Sequence, residues 1–163
     1  MVIVEYILNN NMADFTVSTT IDNFMQAADA DAAKTVLGIT PSGGTTLSGT
    51  TTDATADVEI FVDGVANSRM TIATNTTWMF SAMVAARSAT ESAGYKIEGV
   101  IKNDGGTTSL VGTAVKTVFA EEDATWDITV EADDTNDALV FKVTGDSADS
   151  VVWEVTVNKT EAS

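Results

Sequence analysis

Apolar and polar residues alternate from Thr76 to Lys159 in six segments that turn-forming residues separate. Because successive side chains of a β-strand point to opposite faces, this alternation predicts strands with one apolar and one solvent-facing side. The apolar positions are Trp78, Phe80, Ala82 and Val84; Tyr95, Ile97, Gly99 and Ile101; Val115, Thr117 and Phe119; Trp126, Ile128 and Val130; Leu139, Phe141 and Val143; and Val151, Trp153, Val155 and Val157. We predict that these faces, which carry all three tryptophans, are buried.

Further strands precede and accompany these six. Val58–Val62 also alternates, and Asp63-Gly64 after it is a hairpin signal before another strand near Met70. Asn103–Gly106 is the strongest of the later turns. Eight or nine antiparallel strands, each with one apolar face, must pack face to face to cover those faces. The pattern predicts a mainly β protein: an antiparallel β-sandwich or jelly roll preceded by a short helical N-terminal segment.

The N-terminal part has a different pattern. Hydroxyl residues suited to N-capping precede apolar residues at helical spacing, and Gly38 and Pro41 are suited to ending a helix. We predict two short helices in residues 1–40, a Thr/Gly/Ser-rich linker or loosely held strand in residues 41–56, and the β-sandwich domain in residues 57–163. Such short helices need a partner for stability, so we predict that residues 1–40 attach the protein to another chain. The attachment residues are Val2, Ile3, Val4, Ile7, Leu8, Ile21, Phe24 and Met25.

Composition restricts the function. Asp and Glu number 24 and Lys and Arg 8, a net charge of −16, and the chain has no histidine and no cysteine. Such a charge repels phosphate backbones and anionic lipids, so we expect neither a nucleic-acid nor a membrane partner. Without His or Cys, the usual serine triads, cysteine nucleophiles and zinc sites cannot be built. We expect no enzyme activity and no cofactor.

Two acidic turns are the remaining candidates for chemistry. The carboxylates and amide of Asp133–Asp137 could hold a hard cation, although the stretch lacks the central glycine and distal glutamate of an EF-hand loop. Glu121–Asp123 could act as a glycosidase carboxylate pair, but adjacent residues on a turn do not place two carboxyls across a sugar. Solvated turns are the better interpretation of both, because Asp and Asn favour turns for backbone reasons.

One strand is apolar on both sides. Met79 and Met83, with Ser81 and Ala85, lie on the parity opposite to Trp78. An isolated sandwich has one wet face, so a strand with two apolar faces predicts contact with another subunit through Met79 and Met83.

The chain also resembles a family of proteins. The segments Thr19–Asp29 and Ala33–Ile39 are similar to an Ala-rich helical stretch ending in Leu-Gly that precedes β-rich regions in bacteriophage fibre and virion-surface proteins. The later pattern resembles the C-terminal β-domain of tail-fibre and head-fibre proteins; it comprises Trp78–Arg87, Tyr95–Ile101, Leu110–Gly112, Trp126–Val130, and Val143–Gly145 before Trp153. This resemblance implies a homotrimer on the virion surface, and the absence of a long shaft favours a head fibre or capsid decoration protein.

Three functions are therefore open. The first is a non-enzymatic structural protein of a tailed phage particle: a trimeric capsid decoration, cement or head-fibre protein, attached to the major capsid protein or another virion protein on the capsid exterior. The second is a tail-fibre or receptor-binding module that holds carbohydrate. The third, a carboxylate-based glycosidase fragment, has the least support.

Overall fold

The structure is a computed structural model that describes residues 44–147 and 149–163. These residues belong to one compact unit, Gly43–Ser163. The predicted N-terminal helices and the eight predicted attachment residues lie outside the described residues. Within the described part there is no helix long and apolar enough to cross a membrane.

The described chain forms ten strands. They are β1 (Thr45–Thr51), β2 (Val58–Val62), β3 (Met70–Thr71), β4 (Thr76–Arg87), β5 (Ser92–Asp104), β6 (Thr107–Leu110), β7 (Val115–Glu121), β8 (Asp127–Asp133), β9 (Ala138–Thr144) and β10 (Val151–Ala162). All paired strands are antiparallel. The prediction of a mainly β, antiparallel fold is confirmed.

The strands form one curled sheet. Its central order is β9-β2-β1-β10-β4-β5, with β3 and β8 also paired to β9, and β6 and β7 both paired to β5. Residues from distant strands meet inside the curl: the rings of Phe80 on β4 and Phe141 on β9 lie 6.4 Å apart, edge to face. Trp126, just before β8, lies 6.0 Å from Trp153 on β10. The curl lets one sheet bury its own apolar face.

The alternation in most segments is confirmed. In β4, and in β10 as far as Val157, every second side chain is buried, and Trp78, Trp126 and Trp153 are all in the core. β9 departs from it, because Ala138 and Val140, on the side predicted to face solvent, are buried as well. β7 departs in the opposite sense, because Val115 and Phe119, predicted to be buried, are each 62% exposed. The prediction for Val115, Thr117 and Phe119 was wrong: β7 is an edge strand, paired only with the first half of β5, and none of its residues is fully buried.

Residues 45–51, in the stretch predicted as a linker or a loosely held strand, form β1. β1 pairs along its whole length with β10 and at Leu47 and Ser48 with β2. Leu47 is 1% exposed and belongs to the core. The sequence is compatible with both a strand and a linker here, because it has one large apolar residue among threonines, serines and glycines, which also suit a flexible chain.

Two predicted turns behave differently. Gly105 and Gly106 have φ of 62° and 92° and form the predicted turn, which joins β5 to β6 in a tight hairpin. Asp63 and Gly64 also have positive φ, 51° and 69°, so the turn there is real. The strands that follow and precede it do not form a hairpin, however, since β2 and β3 each pair with β9.

Candidate interaction surfaces

The outer face of β4 carries large exposed apolar side chains. Met79 is 62% exposed and Met83 48%, and Val152 on the neighbouring β10 is 51% exposed. Each lies on the parity opposite to the buried residues of its strand. A folded monomer gains nothing from exposing such side chains in water, so this face is the first candidate contact surface.

The neighbours of the methionines are mostly uncharged; the exceptions are Lys96 and Glu98, which form an ion pair with each other. Met79 lies between Thr160 on β10 and Val100 on β5, and Met83 lies between Thr156 and Lys96. Methionine is unbranched and adapts its shape to a partner surface. The predicted interface residues Met79 and Met83 therefore share one exposed face, the outer β4 face, which a partner chain could cover.

The tryptophans serve the core. Trp153 is fully buried, stacks against Tyr95 at 6.5 Å between ring centroids, and donates a 3.1 Å hydrogen bond from Nε1 to Thr51 Oγ1. Tyr95 is buried as well, and its hydroxyl donates to Glu121 Oε1 at 2.5 Å. Burial and then this bond to Glu121 raise the pKa of Tyr95 above its ordinary value. These rings fill the interior and are not available as a ligand platform.

The acidic turn from Asp133 to Asp137 is engaged by the protein itself. Asp133 accepts hydrogen bonds from the backbone N–H groups of Thr135 and Asn136 and from Asn136 Nδ2. The Asn136 side chain is the main reason that the pKa of Asp133 is lowered. Asp134 accepts from Thr108 N at 2.6 Å and Asp137 from Thr108 Oγ1 at 2.8 Å. The Asp134 and Asp137 oxygens thus bond the β8–β9 turn to Thr108 on β6, which agrees with a structural role.

Glu121–Asp123 also has structural contacts. Glu122 Oε2 accepts from Ser92 N at 2.7 Å, and Asp123 Oδ1 accepts from Thr125 N and Oγ1 at 2.8 Å. The Glu122–Ser92 and Tyr95–Glu121 bonds connect the end of β7 to the beginning of β5, and the Asp123 bonds lie within the β7–β8 loop. The arrangement explains three adjacent acids without invoking catalysis.

A carboxylate cluster that the sequence did not indicate lies nearby. One oxygen each of Glu91, Asp146 and Asp149 lies within 4.8 Å of the others. Partial burial, followed by Asp123, Asp146, Asp149 and Glu122 in that order, raises the pKa of Glu91 above its ordinary value. Glu91 is far in sequence from Asp146 and Asp149, and the three meet because the β4–β5 and β9–β10 connections lie at the same end of the sheet. We refer to Glu91, Glu122, Asp123, Asp146 and Asp149 as the acidic cluster.

β7 is the second candidate contact surface. It pairs with β5 on one side, and within the described residues no strand pairs with its other side. Val115 and Phe119 are 62% exposed and Val118 48%. Sequence alternation did not reveal this edge, because a half-apolar strand looks the same whether or not another sheet covers it.

Comparison with known proteins adds no relative. The chain matches no protein-family model, and a search of curated proteins found no match.

Proposed function

We propose that this chain is a non-enzymatic structural protein of a tailed phage particle, a capsid decoration, cement or head-fibre protein that assembles as a homotrimer. Residues 1–40 attach it to the major capsid protein or another virion protein, on the outside of the particle. The outer β4 face joins the subunits.

The observation that carries the structural role is this exposed apolar face on an otherwise strongly acidic protein. Met79, Met83 and Val152 lie on adjacent strands of one sheet face. Burying them together stabilises an assembly by about 25 cal/mol per Å² of apolar area. The net charge of −16 disfavours association through any other acidic part of the surface. The phage location comes from the sequence resemblance.

For the fold, we propose the finer assignment of a β-sandwich. The part of the sheet with β1, β10, β4 and β5 is one layer, and the part with β2, β9 and β8 is the other. Contacts such as Phe80 with Phe141 pack side chains of the two parts against each other, as in sandwich cores.

The test of attachment is deletion of residues 1–40, assayed on particles that lack the protein. We expect a soluble β-domain that melts cooperatively and does not bind particles, since the β-domain has a core of its own. The full-length chain is the control for particle binding. Full occupancy by the truncated protein would mean that attachment lies in the β-domain.

The alternative is a carbohydrate-binding receptor module. Sugar binding commonly uses an exposed aromatic ring, and Tyr95 and the three tryptophans are buried. Phe61 lies beneath the Arg69 guanidinium, 5.3 Å from the ring centroid. Among the described aromatic residues, Phe119 is the one with a largely exposed ring. Specific binding on a glycan array by the full-length protein would favour the receptor module over the structural role.

A further inference from the structure

The outer side of β1, β10, β4 and β5 differs in charge from the rest of the protein. These four strands are neighbours in the sheet, and the outward positions of each have the parity opposite to its buried residues. We call this surface, which includes the outer β4 face, the balanced face. Its charged residues are the bases Arg87, Lys96 and Lys102 and the acids Glu98, Asp104 and Glu154. Three bases and three acids cancel, in a chain whose net charge is −16.

The corresponding side of β2, β9 and β8 has a different composition. It carries four acids and one base, which are Glu59, Asp127, Glu131, Asp133 and Lys142. On these three described strands, no large apolar side chain is exposed. The balanced face is therefore a surface where exposed apolar side chains coincide with zero net charge.

The balanced face is large enough for a stable protein contact. β10, β4 and β5 are 12, 12 and 13 residues long, so each extends about 40 Å, and neighbouring strands lie about 4.8 Å apart. With β1 included, the face measures roughly 700 Å². Each partner in a typical specific complex contributes about 800 Å². Met79, Met83 and Val152 supply exposed apolar area within the face.

Most charges of the balanced face have partners within it. Lys96 Nζ lies 2.9 Å from Glu98 Oε1, and Lys102 contacts Asp104. Arg87 donates a 3.1 Å hydrogen bond to the Ser92 hydroxyl. A strongly basic partner would meet more opposite charge on the acidic remainder of the surface, and an anionic partner would meet no net positive charge here. Neither kind of partner is favoured by this face.

A second copy of the chain fits these properties. It brings an identical face with zero net charge, so two such faces approach without the repulsion that separates two acidic surfaces. It also brings the same exposed methionines and valine, and burying these side chains against each other is favourable. Charge and apolar area thus select the same occupant.

We propose that the zero net charge of the balanced face makes it the part of the surface at which this acidic chain recognises a second copy of itself. The inference rests on the proposed function, in which the outer β4 face joins the subunits, and it names what selects the partner there. The apolar side chains supply affinity, and the three bases supply selectivity by cancelling the acids that would repel a copy. Removing this balance separates the subunits even when Met79 and Met83 are intact.

The test places the same change of charge at two positions of the full-length protein. Lys96→Glu gives the balanced face an excess of acid, whereas Lys142→Glu changes the net charge by the same amount on β9. The two lysines are matched, because their side chains are 34% and 29% exposed and each pairs with a glutamate. We expect Lys96→Glu to raise the concentration at which the assembly half-dissociates by at least about tenfold, and Lys142→Glu to change it much less. Light scattering over a dilution series measures both.

Further variants separate charge from other effects of the substitution. Lys102→Glu, elsewhere on the balanced face, should weaken assembly as Lys96→Glu does. Lys96→Glu combined with Glu98→Lys restores zero net charge to the face and should restore assembly. High salt should reduce the loss in the two single variants of the face, since the screening length falls to about 3 Å at about 1 M.

Melting followed by circular dichroism shows which variants are folded. If Lys96→Glu unfolds the protein, Lys102→Glu replaces it. If Lys142→Glu does so, Lys116→Glu replaces it as the control, because Lys116 also pairs with an acid and lies on the inward parity of β7.

Two results would overturn this inference alone. Equal weakening by Lys96→Glu and Lys142→Glu would mean that the net charge of the whole chain controls assembly. A double variant that stays dissociated, although its face again has zero net charge, would mean that charge balance is not what selects the partner. The proposed subunit contact survives both results, because the unsubstituted protein still assembles. An unsubstituted protein that is monomeric at micromolar concentration would overturn the proposed contact as well.

Discussion

Trp153 is where several parts of the core meet. Its ring contacts Tyr95 from β5 and Trp126 from the segment before β8, and its Nε1 donates to Thr51 on β1. One side chain therefore connects strands that are distant in sequence and lie in different parts of the curl.

We expect Trp153→Ala to lower the free energy of unfolding by about 3–5 kcal/mol, as the loss of a large buried aromatic side chain usually does. The change also removes the donor to Thr51 Oγ1. Urea unfolding followed by circular dichroism measures the effect. Val65→Ala, at an exposed position in the turn after β2, is the control and should cost little. An unchanged urea midpoint for Trp153→Ala would contradict its place in the core.

Glu91 gives a prediction about pH. Its pKa is raised by partial burial and by Asp123, Asp146, Asp149 and Glu122. A carboxyl whose pKa is raised in the folded state favours folding when protonated, and this contribution is lost as pH rises from the ordinary carboxyl pKa through the raised value. Glu91 therefore opposes folding at pH 7.

We expect Glu91→Gln to raise the melting temperature at pH 7, because the amide has no charge to repel the neighbouring carboxylates. The gain should shrink as pH falls below the ordinary carboxyl range and as salt screens the cluster. Scanning calorimetry of both proteins from pH 3 to pH 7 would check it. Glu154→Gln, at an exposed position on β10, is the control. A melting temperature that falls at pH 7 would show that Glu91 is stabilising.

At the scale of the elements, β1 and β7 behave opposite to their sequence patterns. β1 is weakly apolar but lies between β10 and β2, whereas β7 is apolar and lies at an edge. Pairing position, which depends on the whole chain, decides which strand is buried.

We expect Leu47→Ala to lower the free energy of unfolding by about 2–5 kcal/mol, the range for a large-to-small change in a packed core. Leu47 is the large apolar side chain that β1 contributes to the core. Thr50→Ala, on the same strand but exposed, is the matched control and should change stability by much less. Equal effects of the two substitutions in urea unfolding would mean that β1 is loosely held after all.

At the scale of the whole molecule, assembly is the question. Met79 and Met83 point away from the core, and their strand lies within the sheet, between β10 and β5. Contact through this outer β4 face would therefore be face to face and would leave the β7 edge free.

We predict that the full-length protein is a homotrimer and that Met79→Lys with Met83→Lys converts it to monomers, because six lysines cannot be buried together in one interface. Multi-angle light scattering at micromolar concentration measures the masses. The control is Val65→Lys, which alters an exposed apolar residue away from this face. A stable monomer without any substitution would contradict the trimer, and an unchanged trimer with both lysines would contradict the interface.

The sequence by itself determined the strands and most of their buried faces. Alternation of period two reflects the geometry of a single strand, so the core positions of β4, β5 and β10 could be predicted from local residues. The residues Asn103-Asp104-Gly105-Gly106 likewise predicted the turn that joins β5 to β6. These features depend on residues that are neighbours in the chain.

Tertiary structure alone decided which strands are central and which are edges. Alternation shows that a strand has an apolar side and does not show what lies opposite it. The sequence therefore predicts a buried β7, and a linker or loosely held strand where β1 lies. The acidic cluster arises in the same way, from turns that meet only when the sheet curls. Both candidate surfaces depend on this long-range pairing: the outer β4 face is exposed and the β7 edge is open because of where β4 and β7 lie in the sheet.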